Sequence, residues 1–406
     1  MHVNLASRVY SAAMFGVVAI MPFLAATRSA AAEEPARATV DAVMNRAMKT
    51  YFLKGAIVQV RSNGTTLYTG TYGESMTGVP PTADMHFRNG ALAFTYMATL
   101  LLEFVDQKKT TLDTKLSTYL PDLPNADKVT LKNLANMTSG YPDYVYQPAT
   151  LQGTALDPFR QWTPEELLRI GLSGQQMFPA GSNWGYCHTN YVILGMVLAK
   201  IAGMPLADAI QKYVLDPMGL KNTRAYTTPE IPAPVLHVFD SERRSTLGVK
   251  PGVPFYEEST FWNPSWTTIE GAVEITDITD LSISIEAVAT GKLLSDSSSQ
   301  AQIAPNLVGF SHPVPGCDAC RPQTTAFSYG LGVFLLGPWI SQTLGFAGAS
   351  GATAYLPSQK LTISLEVTNG PDAYDDKGNA KYGLPAGNVL KDLADALAPN
   401  TFPKEQ

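Results

Sequence analysis

Three side chains able to do chemistry, Tyr186, Cys187 and His188, stand consecutively in this 406-residue chain, just ahead of an apolar segment. A phenol can shuttle a proton, a thiolate can attack a carbonyl carbon, and an imidazole can accept a proton near neutral pH. In an extended segment successive side chains point to opposite sides, so Tyr186 and His188 should face a cleft while Cys187 faces the core. The adjacent thiol and imidazole then diverge, which argues against a thiol-protease pair. Ser139, Ser182, Ser350 and Thr95 offer hydroxyls, but none has a Lys or His at a spacing that would activate it. Ser139, inside Thr138-Ser139-Gly140, is expected to cap a turn. With no activated nucleophile in reach, His188 reads as a ligand-contacting or hydrogen-bonded histidine rather than a general base.

The other two cysteines, Cys317 and Cys320, sit in Pro315-Gly316-Cys317-Asp318-Ala319-Cys320-Arg321-Pro322. In an oxidising compartment this spacing favours a local disulfide that tightens a Pro/Gly-rich loop. A thioredoxin-type redox pair needs a helix after the motif, and zinc needs a second Cys or His pair; neither follows here.

The elements that must position these groups can be read from periodicity. Thr39 to Tyr51 has the pattern of an amphipathic helix, and Ala56 to Arg61 and Thr66 to Tyr72 alternate as strands joined at Asn63-Gly64, a hairpin signal. Tyr329 to Leu335, Ala352 to Leu356 and Leu361 to Thr368 have strand character, and Gly387 to Leu397 reads as a closing helix. The two ends of the chain are expected to share one antiparallel sheet. Ala91 to Val105 is apolar nearly all round, with Glu103 its one charged residue, so it belongs in the interior. Thr111 to about Glu286 reads as helical with Pro/Gly-rich interruptions. The fold class is α/β (α+β): an α/β subdomain from about 33–90 and 290–406, and an inserted all-helical subdomain over about 110–286, with a pocket along their junction.

Several segments, in order, carry a family likeness: Phe87-Arg88-Asn89-Gly90, Thr111-Leu112-Asp113, Tyr119-Leu120-Pro121-Asp122, Thr138-Ser139-Gly140-Tyr141, Phe178-Pro179-Ala180-Gly181, Thr189-Asn190-Tyr191, Pro217-Met218-Gly219-Leu220 and Tyr329-Gly330-Leu331-Gly332. Together they resemble the serine β-lactamase and penicillin-binding protein superfamily, and most of all its class C-related esterases and peptidases. The resemblance implies a β-lactamase/transpeptidase-like fold. It also implies a Ser-x-x-Lys at the head of the buried helix, a Tyr-x-Asn on the second wall and a Lys-Thr-Gly or His-x-Gly on a bordering strand. Here those frames read Ala91 and Phe94 for serine and lysine, Tyr186-Cys187-His188 for the second motif, and Phe346-Ala347-Gly348 for the third; the histidine common before Thr-Ser-Gly is Met137. Neither a methyl group nor a phenyl ring can be acylated or take a proton. Four polar positions have become apolar together, while the surrounding frame has kept its pattern.

Composition sets the remaining bounds. With 45% hydrophobic and 16% charged residues the chain can bury a large core. Arg8, the apolar run Ala12 to Ala26 and the small residues Ser29-Ala30-Ala31-Ala32 read as a cleaved signal peptide over 1–32, which places the mature protein in the periplasm or outside the cell. Its removal takes Arg8 and Arg28 and moves the formal net charge from −6 to −8. That acidity, with no long Lys/Arg cluster, excludes a nucleic-acid footprint, and no later run is long enough for a membrane span. No cofactor or metal is expected. The reading is a catalytically silent relative that binds a peptide, ester or cell-wall-derived ligand, or a protein partner. Its cleft would be lined by Ala91, Phe94, Met137, Ser139, Tyr141, Trp184, Phe346 and Gly348, with Tyr144 beside Tyr141 at the rim. The alternative is a hydrolase of esters, β-lactams or D-amino-acid peptides that works through a nonstandard site around Tyr186 and His188.

Overall fold

The computed structural model describes residues 21–226, 228–304 and 306–404. Most of the expected leader, residues 1–20, lies outside the described residues. An antiparallel seven-stranded sheet organises the molecule: β1 (Leu53–Ser62), β2 (Thr65–Gly73), β3 (Ser328–Tyr329), β4 (Phe334–Leu336), β5 (Trp339–Phe346), β6 (Ala349–Leu356) and β7 (Leu361–Asn369), in spatial order β2-β1-β7-β6-β5-β4-β3. The β1–β2 hairpin turns at Asn63 and Gly64 with φ of 49° and 77°, the backbone hand that matches strand twist and that an Asn-Gly pair adopts cheaply. β1 pairs with β7, with Ile57 opposite Glu366, so the two ends of the chain do close one sheet.

Helices cover both faces. α1 (Met21–Thr50) and α5 (Ala386–Leu397) pack on one, where Val40, Val43, Met44, Val389 and Leu393 meet Val58, Val60, Ile363 and Leu365. On the other face lie α2 (Leu92–Asp106) and α4 (Ile278–Ala289), the latter tied to the sheet by the Arg61–Glu286 ion pair at 2.9 Å, with both side chains largely buried. Twelve of the fifteen residues of α2 are buried, as its near-continuous apolarity demands. Its few polar groups are satisfied: the Thr95 hydroxyl donates to Gly332 O at 2.6 Å, and Tyr96 Oη shares a hydrogen bond with Ser284 Oγ at 2.7 Å. α3 (His188–Ala202) packs beside α2 within the same apolar cluster. Among the described residues no single helix is long and apolar enough to cross a membrane.

Three segments differ from expectation. The inserted region expected to be all-helical, about 110–286, also carries short strands: Arg224–Ala225 and Glu274–Thr276 form a small sheet with Phe87–Arg88, and Phe239–Asp240 pairs with Glu257–Glu258. The single strand expected over Tyr329 to Leu335 is two short strands folded back on each other, with Tyr329 opposite Phe334, because Gly330-Leu331-Gly332 makes the turn. β5 escaped periodicity altogether: its polar Ser341 and Gln342 are fully buried, satisfied by Thr353 O and Gly332 O, so its two faces do not alternate in polarity.

Candidate functional site

A cleft of about 440 Å³ opens where the start of α2 meets the β5–β6 turn and the segment leading into α3. Gly90 and Ala91 form one edge. Ala91 is the N-cap residue of α2, and no side chain caps that helix. One turn on, Phe94 is 2% exposed and stacks on Tyr191 with centroids 4.1 Å apart and rings 13° from parallel; Tyr186 and His188 lie 5.9 and 5.5 Å away. The position one turn along from Ala91 is thus a packed ring in an aromatic nest, held by stacking and edge contacts.

The opposite wall is set by the chain entering α3. Cys187, in extended conformation, is the N-cap residue and His188 the first helical one. Tyr186 and His188 line the cleft, whereas Cys187 is buried with its Sγ 3.2 Å from Tyr141 O. Burial pushes that thiol far above its ordinary range, so thiolate chemistry is closed to it. The His188 Nδ1 lies 2.8 Å from Asp143 Oδ2. That contact uses Nδ1, and Nε2, which has no protein partner among the described residues, is left for solvent or ligand. Desolvation, reinforced by Tyr329 and Asp143, raises the Tyr186 phenol well above its normal value; at neutral pH it is a neutral phenol.

The third wall is the β5–β6 turn. Phe346 ends β5, and Ala347 and Gly348 make the turn with φ of 38° and 92°. Only glycine fits at 348, where an added Cβ would stand 2.0 Å from Phe239 O. Phe346 stacks on Trp266, centroids 6.1 Å apart, and carries the guanidinium of Arg88 over its ring at 5.1 Å. Where the family frame would reach into the cleft with a base or cation, there is a phenyl ring instead.

Several residues expected in the cleft lie elsewhere. Met137 is fully buried, its sulfur accepting from Cys187 N and Asn190 Nδ2. Ser139 is equally buried and donates to Asn190 Oδ1 at 2.5 Å while its oxygen accepts from Tyr141 N, so it braces a turn and meets no cavity. Trp184 packs against Phe327 and Tyr329 behind the cleft. Tyr141 turns away to donate to Pro124 O and lines a separate open hollow with Phe178 and Asn125. Tyr144 is buried; the rim tyrosine is Tyr146, 66% exposed. Of the other candidate serines, Ser182 donates to Pro179 O, and Ser350 is buried and accepts from Ala386 N; the aliphatic hydroxyls that do line the cleft belong to Thr267, which donates to Pro264 O, Thr268, whose Oγ1 is buried without a partner, and Thr343. Cys317 and Cys320 are joined in a disulfide, and their sulfurs pack over Gly185, next to Tyr186.

Sequence reasoning missed Asp143, Tyr146, Glu242, Trp266 and Phe334. Asp143 lies 45 residues before its partner His188, and nothing local marks the pairing. Trp266 and Glu242 reach the cleft from short 3₁₀ turns and Phe334 from a short strand, all far apart in sequence. Among the described residues no group of three His, Cys, Asp or Glu side chains is placed to hold a metal ion.

A model of the family described as Beta-lactamase matches residues 40–386, most of the chain. The chain belongs to the β-lactamase family. Its curated relatives include a Beta-lactamase of Lysobacter lactamgenus, 27% identical over 60% of this chain and 60% of that protein. Another is Penicillin-binding protein 4* of Bacillus subtilis, 31% identical over 36% of this chain and 31% of that protein. The aligned stretches therefore span about a third to three fifths of those relatives. Among solved structures, the D-amino acid amidase of Ochrobactrum anthropi SV3 with D-phenylalanine superposes with a TM-score of 0.72 at 20% identity, covering 89% of this chain and 99% of that one. A D-stereospecific amidohydrolase from Streptomyces sp. gives 0.67 at 22% identity over 87% and 97%. At such identities these structures establish the β-lactamase-family fold, an antiparallel sheet flanked by helices.

Proposed function

We propose that this β-lactamase-family chain performs no acyl-serine catalysis and uses its cleft to bind a small organic or peptide ligand. The observation that carries this reading is the pair Ala91 and Phe94 at the head of α2, a methyl group where the family frame holds its nucleophile and a buried ring one turn on. Concerted loss fits the energetics: a lysine left in that aromatic nest without its serine would be a buried cation costing several kcal/mol, so the polar groups leave together. The named neighbours include a β-lactamase and a D-amino acid amidase complexed with D-phenylalanine, and a cleft that keeps their outline while lacking the family's serine and lysine suits a ligand of similar size. Export to the periplasm or beyond, read from the apolar leader, belongs to the same proposal.

A second reading rests on the His188–Asp143 pair, which could aim Nε2 at a water and hydrolyse a bound ester without an acyl-enzyme. Purified mature protein incubated with nitrocefin and nitrophenyl esters separates the two. The proposal expects no turnover above buffer, together with a change in tryptophan fluorescence when ligand reaches Trp266. Turnover abolished by His188→Ala would reject it.

A further inference from the structure

The lining of the cleft has an unusual chemical bias. Six aromatic side chains reach it, Phe94, Tyr146, Tyr186, Trp266, Phe334 and Phe346, and among the described residues no lysine or arginine lines it. Its one carboxylate is that of Glu242, which has no ion-pair partner among the described residues. The basic neighbour in sequence, Arg243, is spent on Glu257 at 2.9 Å and on Ala155 O. Behind Glu242 lies Asp240, 1% exposed, with Oδ1 accepting from Glu242 N and Oδ2 buried without a partner. Besides the phenols of Tyr146 and Tyr186, the other ionisable side chain in the lining among the described residues is His188, backed by Asp143.

We infer that the ligand of this cleft is cationic: an amine or quaternary ammonium on an aromatic or otherwise apolar body, its charge facing Glu242 and the aromatic faces and its body lying along the rings. The inference rests on the ligand-binding reading above and names the ligand's class. Two physical terms support it. Aromatic faces attract cations through the ring quadrupole, by about 0.5–2 kcal/mol per contact, most strongly where water is excluded. An unpaired carboxylate beside a second buried carboxylate gains most from a positive partner, since each acid raises the cost of the other's charge. Arg88 is the counterweight: it lies against Phe346 outside the lining, with Nη2 donating to the carbonyls of Pro229, Thr260 and Trp262 while Nε and Nη1 are buried without a partner. It occupies one face of Phe346, leaving the stacked Tyr186–Phe334 pair, whose centroids lie 5.7 Å apart, and Trp266 as the aromatic surfaces for a ligand.

Three probes of matched size test this: phenethyltrimethylammonium, its neutral carbon isostere 3,3-dimethylbutylbenzene at its solubility limit, and 3-phenylpropionate, each titrated into the mature protein and followed by tryptophan fluorescence and calorimetry. The cation should bind at least ten-fold more tightly than either other probe. Glu242→Gln, at a solvent-facing position, should reduce cation affinity by about ten-fold and leave the neutral probe unchanged. Equal binding of all three, tightest binding of the carboxylate, or cation affinity indifferent to Glu242→Gln would overturn the cationic assignment while leaving a ligand-binding cleft. Failure of every probe to bind would overturn both.

Discussion

Replacing Phe94 by lysine restores the side chain that the family frame would hold, and the structure forecasts damage. Phe94 is 2% exposed, stacked on Tyr191 and ringed by Tyr186 and His188, and the nearby carboxylate, Asp143, is already engaged with His188 at 2.8 Å. Losing the apolar burial costs about 1.5–3 kcal/mol. Losing the stacked contact costs about 0.5–1.5 more. An ammonium without a partner adds at least about 1 kcal/mol, so Phe94→Lys should lower unfolding stability by about 3–5.5 kcal/mol, whereas Phe94→Leu, which keeps an apolar side chain, should cost under about 2. The sign of the pH dependence follows from linkage. Burial depresses the lysine pKa in the folded state, so below about 10.4 the unfolded chain holds more protons and the penalty is largest at low pH, shrinking as pH rises towards the unfolded value. Urea unfolding of both variants at pH 6 and pH 9.5 measures this, with unchanged m-values as the check that the end states are comparable. A Phe94→Lys protein as stable as wild type at pH 6 would refute the reasoning, because it would mean that the cleft still accommodates the ammonium.

Three further outcomes follow from named contacts. Glu286→Ala strips the carboxylate from Arg61, which is nearly buried, and removes the acceptor of the Thr362 hydroxyl; urea unfolding should show a loss of about 3–5 kcal/mol, while a paired Arg61→Met and Glu286→Leu replacement should cost far less. Gly348→Ala, at φ +92° with Phe239 O 2.0 Å from the new Cβ, should destabilise by more than about 2 kcal/mol, whereas Gly64→Ala, at φ +77° but in open space, should cost about 1; a reversed order would contradict the turn geometry. Glu274 is completely buried, and desolvation raises its carboxyl to about 8 despite the hydrogen bond that Asn89 Nδ2 donates to it at 2.6 Å. Between about pH 4.5 and 8 the folded protein therefore holds a proton that the unfolded chain has released, so stability falls with rising pH across that window. Glu274→Gln should flatten the slope and raise stability at pH 8 by about 1 kcal/mol or more, as seen by thermal unfolding across pH.

Much of the fold was legible because local and global signals agree. Asn63-Gly64 announced a hairpin whose φ values are those the pair prefers, and the unbroken apolar run after Ala91 could only be a central helix. β5 was not legible, since Ser341 and Gln342 are buried polar residues whose partners, Thr353 O and Gly332 O, belong to other segments. The site divides the same way. Ala91, Phe94, Tyr186, His188, Phe346 and Gly348 fall in the cleft because each sits at a point where a helix start, an extended entry or a strand turn sets its direction. Met137, Ser139 and Trp184 instead turn into the core, and their direction depends on contacts with Asn190, Cys187 and Phe327 that no local pattern records. Asp143, Trp266 and Glu242 were invisible for the complementary reason: loops carry them to the cleft, and their partners are tens of residues away or are other loops.

The proposed function requires that no hydroxyl or thiol lining the cleft be activated for acylation. Intact-mass spectrometry after prolonged incubation of the mature protein with excess fluorophosphonate and, separately, with penicillin tests it most directly. The account predicts an unshifted mass with both reagents. A stoichiometric adduct that maps to a serine, threonine or cysteine in or beside the cleft would contradict it.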